Sequence, residues 1–185
     1  MYRKLIENYI PKNEQEEVDK QAMLTFIDRN SDVLLRTNLV SHLTSSAIVI
    51  NKEKTKVLFI HHNIYNSWGW VGGHNDGDPD CLHVAIKEAI EETGVKNIKP
   101  YHTDIIGIDT IYVSNHIKNG KYVPDHTHMN VTYLLVADEN HELVIKEDEN
   151  SGVKWFLLEK ALNVIDEARM VPIYTKYFNY IKALK

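Results

Sequence analysis

The tightest constraint on what this chain can fold into lies at residues 63–95, where a glycine-rich loop runs into one short acidic helix. The loop, "NIYNSWGWVGGHNDGDPD" (63–80), holds four glycines, two tryptophans and three aspartates in eighteen residues. A connection this long inside a compact domain is more often functional than not. Asp80 can cap the helix that follows, expected over about 81–93, and Gly94 stops it where helices usually stop. At ~100° per residue, Leu82, Ala85, Ile86, Ala89 and Ile90 form a core-facing stripe. Glu88, Glu91 and Glu92 fall within an arc of ~100° on a separate face, one that can remain wet. The helix must therefore bury one side against another layer and leave its acids accessible.

Crowding those acids has a cost. Like charges at i,i+4, as Glu88 and Glu92 are, destabilise a helix by ~0.2–0.5 kcal/mol. Carboxylates near a helix C-terminus oppose the macrodipole by ~0.3–1 kcal/mol each. Lys87 is the only cation close by, and on the helical wheel it points elsewhere. A solvated acidic face tolerates costs of this size. A hard divalent cation removes them, because magnesium takes oxygen ligands from a few carboxylates and leaves its other positions to water and substrate phosphates.

The rest of the chain supplies a scaffold for that helix. Pro11 interrupts a short N-terminal helical pattern, and Asn13 followed by Glu16 reads as a capping box opening a helix through about Asp28. Val18, Met23 with Ala22, Phe26 and Ile27 are its apolar positions. "SSAIVIN" (45–51) and "KVLFIHH" (56–62) are β-branched runs joined by the polar turn "NKEK", a hairpin. "TDIIGIDTIYVS" (103–114) reads as one or two strands, "NHIKNGKYVPDH" as a second polar loop, and "THMNVTYLLVAD" (127–138) and "GVKWFLL" (152–158) as further strands. "LEKALNVID" and "VPIYTKYFNYIKAL" read as helices, the last with Pro172 in its first turn. This mixture predicts an α/β fold, a mixed sheet packed between helices.

From Gly73 the spacing runs G-x5-P-x7-K-E-A-x-E-E-T-G-V, which resembles the Nudix box, G-x5-E-x7-R-E-U-x-E-E-x-G-U with U apolar. Gly73, Glu88, Ala89, Glu91, Glu92, Gly94 and Val95 match in register across 23 residues. "WGWVGG" before the box and "VKWFLLEKA" near residue 160 resemble the family's flanking segments, so the likeness covers about residues 42–166. Two positions depart from it. Pro79 stands at the first box glutamate, whose part Asp78 or Asp80 could take by a one-residue shift. Lys87 stands at the arginine, keeping the charge and losing the bidentate fork. On this reading residues 1–40 are a helical extension packed on a domain spanning 41–185 that ends in the C-terminal helix.

The resemblance implies a Nudix-type α/β/α sandwich and a metal-dependent hydrolase. The substrate would be a nucleoside diphosphate linked to another moiety, or a nucleoside triphosphate, split at a diphosphate linkage. Mg2+ would be the cofactor, with Mn2+ as a substitute. Glu88, Glu92 and the backbone carbonyl of Gly73 would bind the metal, and Glu91 would complete the shell directly or through water. Lys87 would orient a box carboxylate. Glu149, six residues before Trp155 in "KEDENSGVKW", stands where many Nudix enzymes carry another metal-linked or catalytic acid; a solvated acidic loop is the plain alternative.

Substrate contacts are sought outside the box. Strand alternation puts His126, His128, Asn130 and Thr132 on one face, suited to phosphate or base if it lines a cleft and otherwise the wet side of an antiparallel sheet. As a zinc site, two histidines plus Asp125 are a thin ligand set with no cysteine pair to help. Trp70 could stack on a base, although a core role suits it better, and His74 is placed to face the metal site.

Composition trims the alternatives. A net charge of -5 and the lack of a Lys/Arg stripe argue against duplex nucleic acid as a partner and against an mRNA-decapping enzyme. Diphosphate isomerase chemistry needs a catalytic cysteine on a strand, whereas the single cysteine, Cys81, opens the box helix. A non-catalytic nucleotide-binding module stays open, with Pro79 as its support. No apolar run suggests a signal peptide or membrane span, which makes the cytoplasm the expected location. Core packing is the first explanation of the apolar residues of the last helix, and a surplus could also serve a homodimer contact.

Overall fold

The computed structural model describes residues 1–118 and 120–184. Helices α1 (Tyr2–Asn8) and α2 (Glu14–Ile27) come first, then strands β1 (Ser41–Asn51), β2 (Lys56–His62), β3 (Ser67–Gly69) and β4 (Val71–His74). Helix α3 (Cys81–Thr93) follows, then β5 (Lys99–Pro100), β6 (Gly107–Val113), β7 (His116–Lys118), β8 (Lys121–Val123), β9 (His126–Ala137) and β10 (Asn150–Leu157). Helix α4 (Val171–Ala183) closes the chain. The main sheet runs β10-β2-β1-β9-β5, with β3 on β2, β4 on β1 and β6 on β9; β7 and β8 form a separate hairpin. β1 and β9 are parallel, from Ser41 beside Thr127 to Asn51 beside Ala137, and the other pairs are antiparallel.

Every residue of β1 is buried, because the sheet is covered on both faces. Leu43, Ala47 and Val49 pack with Leu58, Ile60, Val131 and Tyr133 beneath α2 and α3. The opposite parity, Ile48 and Ile50, packs with Phe59, Leu134, Tyr174, Tyr177 and Phe178 beneath α4. The expected sandwich is thus present, and Ile6, Met23 and Ile27 from the N-terminal helices, with Tyr9 between them, belong to the α3-side core. No helix among the described residues is long and apolar enough to cross a membrane.

Several elements differ from their sequence reading. Residues 63–80 are not one loop: β3 and β4 pair with β2 and β1. Gly72 makes this possible, since its φ is +151° and a side-chain carbon there would lie 2.5 Å from the Ser46 Cα. The polar segment after β6 carries the β7–β8 hairpin. "LEKALNVID" forms only a 3-10 turn, Ala161–Val164, because nine residues with Val164 and Ile165 near their end are too few and too β-branched to sustain a helix. The next backbone amide, Asp166 N, donates to Ser67 Oγ at 3.0 Å. In α2, Val18 and Ala22 are exposed rather than core-facing. Asn13 caps that helix by accepting from Glu16 N at 2.9 Å. The Glu16 carboxylate does not return to the cap; it takes the Lys12 amide at 2.8 Å and the Tyr9 hydroxyl at 2.7 Å. In α4, Tyr174, Tyr177, Phe178 and Ile181 are taken up in the chain's own core.

Candidate functional site

Helix α3 has the boundaries its sequence predicts. Asp80 Oδ1 accepts from His83 N at 3.1 Å, and Gly94 ends the helix in the left-handed region at φ 74°. Its rotation differs from the expected one. Cys81, Val84, Ala85, Ala89, Glu92 and Thr93 are buried, while Leu82, Ile86 and Ile90 are only half-buried. Glu92 therefore does not lie on a wet face: it is 3% exposed. The reason is β4, which lays its glycines against this side of α3. Gly72 N donates to Glu92 Oε2 at 2.9 Å. A side-chain carbon on Gly73 would lie 2.6 Å from the Glu88 carboxyl carbon, so only glycine leaves room for that carboxylate.

Burial pushes the Glu92 carboxyl up to about 8, with the Gly72 amide opposing and the Glu88 and Glu149 charges reinforcing the rise. Burial raises Glu88 as well, against the pull of Lys87. Lys87 does not point away from the acids: its Nζ sits 3.3 Å from Glu88 and 3.8 Å from Glu91. Lys146 bridges Glu91 at 3.6 Å and Glu149 at 3.1 Å. This lysine, which the sequence did not single out, brings Glu149 to the helix. Asn150, wholly buried, donates to the Glu92 carbonyl at 3.0 Å and ties the same loop to the end of α3.

The loop around Pro79 is anchored by its aspartates. Asp78 accepts from the Asp80 amide at 2.8 Å and meets His83 Nδ1 at 2.7 Å, while Asp80 serves as the cap. Asp76 holds Arg36 through two guanidinium contacts, the Nε one at 2.7 Å. The Asp76 hydrogen bonds raise the Arg36 pKa most, and the charges of Glu88 and Glu149 add to the rise. Cys81 is buried in the α3-side core, so no thiol is offered from a strand.

Beyond β4 lies a polar patch on the α4-side face of the sheet. The sequence alternation holds there, and the wet-side alternative does not, since Asn130 and Thr132 are buried. Asn130 Oδ1 accepts from Thr44 Oγ1 at 2.9 Å and Ser46 Oγ at 2.8 Å, and Asn130 Nδ2 donates to Thr132 Oγ1 at 2.9 Å. Next to it stand His74, His126 and His128, joined by His42, which the sequence reading missed. Its signal is parity with the polar Thr44 and Ser46, but the β-branched run that marks this strand in the sequence begins only at Ser45. Trp70 does not join the histidines; it stacks edge-on against Tyr174 and Tyr177 with centroids 5.1 and 5.9 Å away, and its amide donates to the Tyr174 hydroxyl.

The NUDIX domain family model matches residues 41–177. No curated protein matches the chain. Among solved structures, a C. elegans Ap4A hydrolase in a binary complex shares 20% identity over 77% of this chain and 98% of its own, with a TM-score of 0.57. A NUDIX-family hydrolase from Clostridium perfringens shares 21% identity over 76% and 97%, at 0.53. A Nudix hydrolase from M. smegmatis shares 14% over 78% and 88%, at 0.55. At these identities the likeness is one of fold.

Proposed function

This chain belongs to the Nudix family and is a hydrolase of that family, and we propose on that premise that it splits a diphosphate linkage in a nucleotide, with Mg2+ held by Glu88, Glu92 and the Gly73 carbonyl. The observation that carries the proposal is Glu92, a carboxyl almost fully buried with one backbone donor and two further acids near it. An uncompensated anion in such a place is unfavourable, and a hard cation with oxygen ligands is the compensation the donor set fits. When bound, the ion would offset charge on the phosphate and lower the pKa of a water.

The chain's own residues would do the rest. Lys87 holds Glu88 toward Gly73. Lys146 keeps Glu91 and Glu149 together at the mouth of the site, and Glu149 is the acid we assign to take the proton of the attacking water. Arg36, fixed by Asp76 and within the electrostatic reach of Glu88, would meet a phosphate oxygen. His126 and His128 stand beside the polar floor and His74 directly follows Gly73, where they would border the substrate. Trp70 would act through packing rather than by stacking on a base.

The test is release of phosphate or nucleotide from a panel of nucleoside triphosphates, dinucleoside polyphosphates, ADP-ribose, NADH and sugar nucleotides. Dinucleoside polyphosphates are included because the C. elegans neighbour is an Ap4A hydrolase. The expected outcome is Mg2+- or Mn2+-dependent turnover of at least one member that Glu92→Gln abolishes. Turnover that survives Glu92→Gln and Glu88→Gln would overturn the assignment.

A further inference from the structure

We infer that His42, His74 and His128 form a second, nitrogen-only site for a borderline divalent ion of the zinc class, chemically separate from the oxygen ligands on α3. The inference does not depend on the hydrolase reading, although His74 and His128 are also the residues set beside the substrate there; it rests on where three strands place three rings and on the hydrogen bonds those rings make. Among the described residues this is the one set of three or more His, Cys, Asp or Glu whose ligand atoms all lie within 4.8 Å of one another. The rings form a nearly equilateral triangle: His42 to His74, His42 to His128 and His74 to His128 are each 4.9 Å between centroids. A tetrahedral ion bound at about 2.0–2.1 Å would hold ring centroids ~5 Å apart, with the nitrogens drawn in to ~3.3 Å by small side-chain rotations.

Hydrogen bonding sets the tautomers that such an ion needs. His42 Nδ1 is 3.0 Å from the Asn38 carbonyl, so it carries the proton and leaves the Nε2 lone pair free. That Nε2 is buried and has no partner, although His42 is only 3% exposed. A backbone carbonyl on one ring nitrogen with the other left unpaired is the usual arrangement behind a metal-bound histidine. His126 Nδ1 is likewise 2.8 Å from the Pro124 carbonyl, which makes its Nε2 an acceptor for His128 Nε2 at 3.2 Å and leaves the His128 Nδ1 lone pair available. His126 is thus a positioning residue for His128.

The three rings come from adjacent strands, His42 in register with His128 and His74 opposite Thr44, so the sheet holds them. The three rings are buried or half-buried, and the neutral imidazole tautomers that these hydrogen bonds set are the form that binds metal. Three neutral ligands would leave the ion its double charge and a position for water or an anion.

The test is a Co2+ titration of untagged full-length protein with millimolar Mg2+ present. One equivalent is expected to bind with the visible bands of a four-coordinate cobalt ion, and Zn2+ should bleach them. His128→Gln and His74→Gln should each weaken binding at least tenfold, while Glu92→Gln leaves it unchanged. His74 and His128 are both half-buried, so either variant still reports if the other misfolds. No wild-type binding tighter than about 10 μM would overturn the inference. So would bands that persist in both histidine variants, or bands lost in Glu92→Gln.

Discussion

Glu92→Gln should stabilise the metal-free protein while abolishing its activity. In the unfolded chain the carboxyl ionises at its ordinary 4.5, and the fold holds its proton up to about 8. Both states are protonated below pH 4.5, so no penalty arises there. As the pH rises through that window the unfolded chain releases a proton that the folded chain keeps, and folding stability falls. At ~1.4 kcal/mol per pH unit the loss is about 3 kcal/mol at pH 7, and its ceiling is near 5 kcal/mol above pH 8. Glutamine is neutral at every pH and keeps an oxygen for the Gly72 amide. The variant should therefore match wild type near pH 4.5 in EDTA. At pH 7 it should exceed wild type by about 2–3 kcal/mol, or roughly 4–12 °C in Tm. Mg2+ should reverse the order by stabilising wild type and not the variant. Thermal melts at several pH values, with chelator and with Mg2+, measure all of this. A variant less stable than wild type at pH 7 in EDTA, or a difference that does not change with pH, would refute the account of Glu92.

Other perturbations separate the site from its scaffold. Gly73→Ala drives a methyl into the Glu88 carboxylate, so kcat should fall at least ~10-fold while the melting temperature moves little. Lys176 lies 2.9 Å from the wholly buried Glu16 and 2.7 Å from Asp109; Lys176→Ala strands both acids and should lower stability by about 3–5 kcal/mol in urea melts. Asn150→Ala removes the donor from the Glu92 carbonyl, and a loss of about 1–3 kcal/mol is expected by the same measurement. Lys146→Met releases Glu149 from its cation. With Glu91 and Glu149 no longer held together, kcat should fall at least ~10-fold while the melting temperature moves little if Glu149 is the base.

Much of the frame was legible because local chemistry sets it. The cap at Asp80, the stop at Gly94 and the spacing of Gly73, Glu88 and Glu92 are short-range facts that the chain states directly. The rotation of α3 was not legible. Leu82, Ile86 and Ile90 look like the core stripe on a wheel, but β4 approaches from the other side and buries Glu92. Strands β3 and β4 were hidden by their glycines, which have no side chains to show an alternating pattern and are present so that backbone can approach backbone.

By itself, then, the sequence determined which carboxylates share one helix, where that helix begins and ends, and the family to which its spacing belongs. Only the tertiary structure decided which of those acids is dry, which lysines hold the others, and that His42, His74 and His128, each on a different strand, share one point in space. Helical spacing and caps are encoded within a few residues. Burial and convergence depend on strand register across 32 to 86 positions of chain, His42 to His74 and His42 to His128, and no local pattern carries that information.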